Sequence, residues 1–160
     1  MATLRRTFPR ARLRHGEVGD LDQVMRIMNA AFRPCFGEAW TKSQCAGILP
    51  MRGVILTIAD DENGPVGFSL VRSVADEAEL LLLAVQPAQQ GHGIGQLLLD
   101  DFVSAASSAG ASKLHLEVRD GNPALDLYNK SGFHPAGRRR NYYHGPDGEA
   151  YDAVTLVLTI

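Results

Sequence analysis

"VQPAQQGHGIGQLLLDDF", residues 85–102, sets Gly91, Gly93 and Gly95 directly after an apolar run and directly before a leucine-rich helical pattern. Closely spaced glycines between a strand and a helix let several backbone N–H groups turn toward one anion. The positive end of the helix dipole adds to the attraction. The chemistry therefore concerns a phosphate, and the spacing narrows which one. No lysine follows these glycines, so the G-x-x-x-x-G-K-S/T pattern of nucleoside triphosphate sites is missing. The dinucleotide pattern G-x-G-x-x-G fails as well, because its third glycine would be Gln96 counted from Gly91 and Leu98 counted from Gly93. A metal centre is not indicated, since the five histidines are scattered without H-x-x-x-H or mixed Cys/His spacing. A glycine-rich turn with no ligand stays open at this point.

A second group of chemistry-bearing residues lies downstream in "KLHLEVRDGNPALDLYNKSGF", residues 113–133. Leu114, Leu116 and Val118 alternate on one face of a strand and leave Glu117 on the other, so the core does not explain that carboxylate. Pro123 stands just inside a helix start and Gly132 just past its end, with Asn122 at the entry. Tyr128 follows Leu125 by nearly one turn and reads equally well as an aromatic on the inner face of that helix.

The elements that must position these groups follow from periodicity. Residues 10–15 form a short first strand. "GDLDQVMRIMNAAF" is a helix with Asp20 as N-cap and Leu21, Val24, Met25 and Met28 on one face. "TKSQCAGIL" gives a second, shorter helix. "GVILTIAD" and "PVGFSLVRS" flank the turn-rich "DENG" as a hairpin, and "ELLLLAV" reads as a central strand buried on both faces. Ile94, Leu97, Leu98, Phe102 and Ala106 make a helical stripe that ends near Gly110. Two strands, about 134–144 and 150–159, close the chain around "GPDGE". The fold class is α+β, a mixed and mostly antiparallel sheet with helices on both faces. The strands around 77–86 and 113–118, joined by a helix, run parallel.

At 160 residues the chain is one domain, 1–160, with residues 1–9 expected to be disordered. A net charge of −2 argues against a protein that coats nucleic acid, and no DNA partner is expected. Cys35 and Cys45 read as reduced thiols. No run approaches the ~18 apolar residues of a membrane helix, so no membrane partner is expected. The arginine-rich start lacks the apolar core of a secretory signal, and the expected location is the cytoplasm.

Gln90-x-x-Gly93-x-Gly95 after "LLLLAV" resembles the acetyl-CoA signature of the GNAT superfamily of N-acetyltransferases, and "LEVRDGNPALDLYNKSGF" resembles the motif that follows it there. Together the two run from about Glu79 to Phe133, and the element order fits that family fold over nearly the whole chain. The resemblance implies a strand that splays from its parallel neighbour, with pantetheine in the gap. Leu83, Ala84 and Val85 would pair with it, a backbone N–H near Val85 would face the thioester oxygen, and Asn122 would bond the pantetheine arm. Gln90, Gly91, His92, Gly93, Ile94, Gly95 and Gln96 would cradle the pyrophosphate. Many relatives carry arginines before these glycines, whereas this chain has "QQGHGIG" and relies on backbone amides, with Gln90 and His92 assisting. No metal is implied.

Within the superfamily the chain looks most like the ribosomal-protein S18 alanine N-acetyltransferases, on "AELLLLAV", "LEVRDGNPALDLYNKSGF" and "GRRRNYYHGPDGEAYDAVTLVL". That likeness implies Glu117 as general base through water and Tyr128 as general acid to the thiolate. Glu79 is the rival base, because other branches place theirs there. Arg138, Arg140 and Tyr142, expected on one strand face, would either contact the peptide or form a solvated strand edge. The stretch "FRPCFGEAWT" departs from the branch, with Phe36 to Trp40 as added loop, and bears on the acceptor more than on the chemistry. The acceptor is then a peptide or protein N-terminus. A small amine such as a polyamine or aminoglycoside is the alternative. A non-catalytic module that senses CoA, or binds RNA through "RRR", is a second alternative. The state, monomer or dimer, stays open.

Overall fold

A computed structural model describes residues 11–160; the arginine-rich start, residues 1–10, lies outside the described residues. The chain runs β1 (Arg12–His15), α1 (Leu21–Ala31), α2 (Lys42–Ile48), β2 (Val54–Asp61), β3 (Gly64–Val74), β4 (Glu77–Val85), α3 (Ile94–Ser108), β5 (Lys113–Arg119), α4 (Ala124–Lys130), β6 (His134–His144) and β7 (Ala150–Thr159). The seven strands form one sheet in the order β1-β2-β3-β4-β5-β7-β6, antiparallel except for the parallel β4–β5 pair. Element order and the parallel pair agree with the periodicity reading.

Helices cover both faces. On one, Leu21, Val24, Ile27 and Met28 of α1 and Cys45 of α2 pack against Leu56, Ile58, Phe68, Leu70, Leu82 and Ala84. On the other, Leu99, Phe102 and Ala106 of α3 and Tyr128 of α4 pack against Leu80, Leu114, Leu116, Val118 and Leu156. Each stripe differs from its sequence reading by one residue. Ile27 is fully buried where Met25 is half-buried, and Leu99 where Leu97 is half-buried.

The run "ELLLLAV" carries one irregularity. The β3–β4 register slips between Leu70 and Val71, which pair with Leu82 and Leu80, so Leu81 is left as a bulge. Before the bulge, Ala78 and Leu80 belong to the core under α3 and α4; after it, Leu82 and Ala84 belong to the core under α1. With helices on both faces of the sheet, β4 is apolar at successive positions, as expected of a central strand. Leu81 and Leu83 remain half-buried, because they border a cleft.

One local expectation is corrected. Asp20 does not cap α1 with its side chain. Its carboxylate instead accepts from both terminal nitrogens of Arg14, at 2.9 and 3.1 Å, and from the Glu17 N–H at 2.8 Å. Those bonds hold it below the usual carboxylate range. A residue already in helical conformation cannot present its oxygen to the first turn.

Candidate active site

The parallel pairing of β4 with β5 covers Glu77–Leu80 against Lys113–Leu116 and stops there. Beyond it, Leu81–Val85 and Glu117–Arg119 diverge and form two walls of a cleft of about 850 Å³. Both following helices begin at this end of the sheet, so two positive helix ends face the same opening.

The glycine loop closes one end. Gly93 is the N-cap of α3 in the left-handed conformation, φ 83°, and offers no side chain to the first-turn N–H groups. No acceptor among the described residues meets the N–H groups of Gly91, His92 or Gly93. A methyl at Gly95 would lie 3.5 Å from Leu127, so a larger residue would intrude between α3 and α4. Gln90 lines the cleft, but its amide donates to the Val85 carbonyl at 3.1 Å and holds the end of β4. His92 is not among the lining residues; its Nδ1 lies 3.1 Å from the Gln89 carbonyl.

On the opposite wall Glu117 and Tyr128 line the same cleft, which spacing alone could not show. Glu117 occupies the first position past the last paired residue, Leu116, and its side chain is 13% exposed. The Arg139 Nε meets its carboxylate at 2.6 Å. Glu79 also lines the cleft, but it sits inside the paired segment, with its oxygen 3.7 Å from His115 Nε2. Tyr128 is buried on α4, its ring 6.2 Å from Phe133 in an edge contact. Burial, and then the charge of Glu38, push its phenol above the ordinary tyrosine value. Tyr143 is pushed up by burial in the same way, and its hydroxyl donates to the Glu117 carbonyl at 3.3 Å.

The expectation that Arg138, Arg140 and Tyr142 share a face is overturned by a bulge in β6. Arg139 pairs with Ala153 and Tyr143 with Tyr151, so the intervening stretch of β6 is longer than that of β7. Asn141 takes a left-handed conformation there, φ 52°. Arg138, paired with Val154 before the bulge, binds Asp120 at 2.8 Å and Asp152 at 3.0 Å. It is Arg139 that reaches Glu117, and of the three expected residues only Tyr142 lines the cleft.

The residues missed by sequence reasoning are Phe36, Glu38, Arg119 and Tyr143, all lining the cleft. Glu38, from the added loop, accepts from Arg119 Nε at 3.0 Å and from Asn122 Nδ2 at 2.8 Å. The Arg119 guanidinium lies 3.6 Å over the Phe36 ring. Asn122 also accepts the Ala124 N–H at 2.9 Å, at the entry to α4. Arg119, two positions after Glu117 on the same strand face, was open to the parity argument that found Glu117; nothing in "FGEAW" pointed to Glu38.

The added loop is seated by close backbone approach. Gly37 is left-handed, φ 69°, and a methyl there would overlap the His144 carbonyl. Gly37→Ala is expected to cost about 1–3 kcal/mol, seen as a lower Tm. Gly47→Ala in α2, where the methyl meets nothing within 4 Å, is expected to be neutral or slightly stabilising. Equal melting of the two variants would refute the seating.

A family model described as the acetyltransferase (GNAT) family matches residues 21–133. The chain belongs to that family. It is 40% identical over 96 residues to the ribosomal protein bS18-alanine N-acetyltransferase of Haemophilus influenzae, a match covering 60% of this chain and 66% of that relative. A Bacillus subtilis relative is 31% identical over 153 residues, 94% of this chain and 97% of that one. The crystal structure of the ribosomal-protein-S18-alanine N-acetyltransferase from Escherichia coli superposes with a TM-score of 0.82 at 30% identity, covering 94% of both chains. Among the described residues no helix is long and apolar enough to cross a membrane, and no group of three or more His, Cys, Asp or Glu could hold a metal.

Proposed function

We propose that this chain is an acetyl-CoA-dependent N-acetyltransferase whose acceptor is the N-terminal alanine α-amine of a ribosomal protein. The observation that carries the reading is the strand split, with the glycine loop at one end and Glu117 and Tyr128 on its walls. The named activities of the relatives support it.

The site fits the cosubstrate. The edge at Leu83, Ala84 and Val85 has lost its β5 partner, so backbone groups there, apart from the Val85 carbonyl taken by Gln90, are free to pair with a pantetheine amide. The unpartnered N–H groups of residues 91–93 and the start of α3 suit a pyrophosphate. Bound there, acetyl-CoA supplies the activated acetyl thioester. Glu117 removes the acceptor's proton through water, and Tyr128 holds a proton for the departing thiolate. An α-amine with a pKa of about 7.7–8.0 reaches its neutral form at pH 7 for about 1–1.4 kcal/mol, against roughly 4.6 for a lysine. One carboxylate acting through water suffices for the first.

The charges favour a peptide over a polyamine. Glu38, Glu79 and Glu117 all line the cleft, but Arg119 neutralises Glu38 and Arg139 neutralises Glu117. The RNA reading weakens too, because Arg138 and Arg139 are engaged with carboxylates. The test is thiol release from acetyl-CoA with an N-terminal-alanine peptide, the same peptide N-terminally blocked, spermidine and an aminoglycoside. Turnover is expected on the free peptide alone. Turnover confined to the small amines would move the acceptor to that class, and CoA binding without any turnover would favour a sensor.

A further inference from the structure

Glu38 is the one carboxylate of the cleft placed there by the added loop, and its side chain is only 8% exposed. A buried charge of this kind is tolerated when its oxygens are fully used. One oxygen takes the Arg119 Nε and the other takes the Asn122 amide nitrogen. The loop grips Arg119 twice, since the Phe36 ring lies under the same guanidinium. Arg119 itself donates to the Asp120 carbonyl at 3.2 Å, which fixes the turn between β5 and α4.

The consequence falls on Asn122. Its amide oxygen is committed to the Ala124 N–H and one of its two N–H donors to Glu38. The second N–H is left over, on a side chain that lines the cleft and can no longer rotate or flip. The same turn leads directly into α4, which carries Tyr128. A loop on the acceptor side of the cleft thus reaches across to orient a donor on the cofactor side.

We infer that Glu38 is a positioning residue that, together with Arg119, locks Asn122 so that its remaining N–H is presented to the pantetheine arm of CoA. This rests on the acetyl-CoA reading of the cleft. The added loop is then a brace between the acceptor and cofactor halves of the site as well as a wall for the acceptor.

The test is the dissociation constant of CoA, measured by titration calorimetry on the wild-type chain, Glu38→Gln, Asn122→Ala and the double variant. A glutamine keeps the size of Glu38 but can no longer accept from both partners. Each single substitution is expected to weaken CoA about fivefold, the worth of about one hydrogen bond. The double variant is expected to stay within about twofold of either single one, because both remove the same contact. Loss of stability alone would leave the folded protein's affinity unchanged and show no such coupling. Wild-type affinity in folded Glu38→Gln, or effects that multiply in the double variant, would overturn the inference while leaving the function standing. Failure of the wild-type chain to bind CoA would overturn the acetyl-CoA reading itself. Should Glu38→Gln not fold, because Arg119 is left buried and unpaired, Glu38→Gln with Arg119→Met removes both charges. That variant is expected to bind CoA about fivefold more weakly, and unchanged binding would again overturn the inference.

Discussion

Tyr128→Phe is expected to lower kcat about 10²–10⁴-fold on an N-terminal-alanine peptide, with the KM for acetyl-CoA nearly unchanged. The argument begins with packing. The ring of Tyr128 is part of the core under α3 and α4 and touches Phe133, and phenylalanine preserves both contacts. Only the hydroxyl is lost, at the cleft surface. Burial and Glu38 keep the phenol protonated well above the ordinary tyrosine value of about 10, so the proton is present at every working pH. A thiolate leaving into the same low-dielectric cleft meets the same desolvation, which raises its own proton affinity and makes the transfer feasible. The direction of the shift also has a stability consequence. Above pH ~10 an unfolded chain releases this proton while the native one retains it. The contribution of Tyr128 is therefore complete below that pH and drains away as pH rises past it. Urea unfolding at pH 8 and pH 11 is expected to show a smaller alkaline loss for the phenylalanine variant. Undiminished kcat would remove Tyr128 from the acid role and direct attention to Tyr143, whose hydroxyl is bonded at the Glu117 carbonyl.

How much of this was legible in the sequence depends on whether the signal is local. Alternation in 113–118 put Glu117 on the open face of β5, and it lies there. The Gly132 stop and the 134–144 and 150–159 strands also stand as read. The GNAT resemblance and the expected splay of two parallel strands agree with the family match and with pairing that stops at Leu80 and Leu116. What failed was governed by register. β6 carries two extra residues between Arg139 and Tyr143, and of the three residues expected on one face only Tyr142 lines the cleft. Such an irregularity cannot be seen in a period-two count, because it changes the pairing without changing the composition. Glu38 failed for another reason. Its partners stand 81 and 84 residues away, and only the seating of Gly37 against the β6–β7 hairpin brings it to them.

Glu117→Gln is expected to lower kcat/KM about 10²-fold at pH 7, and the deficit is expected to shrink to about tenfold at pH 9. Two separate protons set these numbers. The first is the one that makes the acceptor an ammonium. With a pKa of about 7.7–8.0, roughly a tenth of an α-amine is already neutral at pH 7 and nearly all of it at pH 9. A base that did only this would be dispensable at high pH, and the loss there would vanish. The second proton is shed as nitrogen attacks the thioester, and its removal is needed at any pH, so part of the loss persists. The position of Glu117 at the mouth of the split suits both, because the side chain is nearly buried yet borders the cleft. Its partner Arg139 is 63% exposed, so water screens that side of the ion pair even though Glu117 itself is nearly buried. Glu79→Gln is the comparison, because that carboxylate sits within the paired part of β4 and faces His115. Its kcat/KM is expected within about threefold of wild type, well short of the effect of losing a general base. If instead Glu79→Gln carried the large, pH-dependent loss and Glu117→Gln the small one, the base would belong to β4, and Glu117 would serve to hold Arg139 in place.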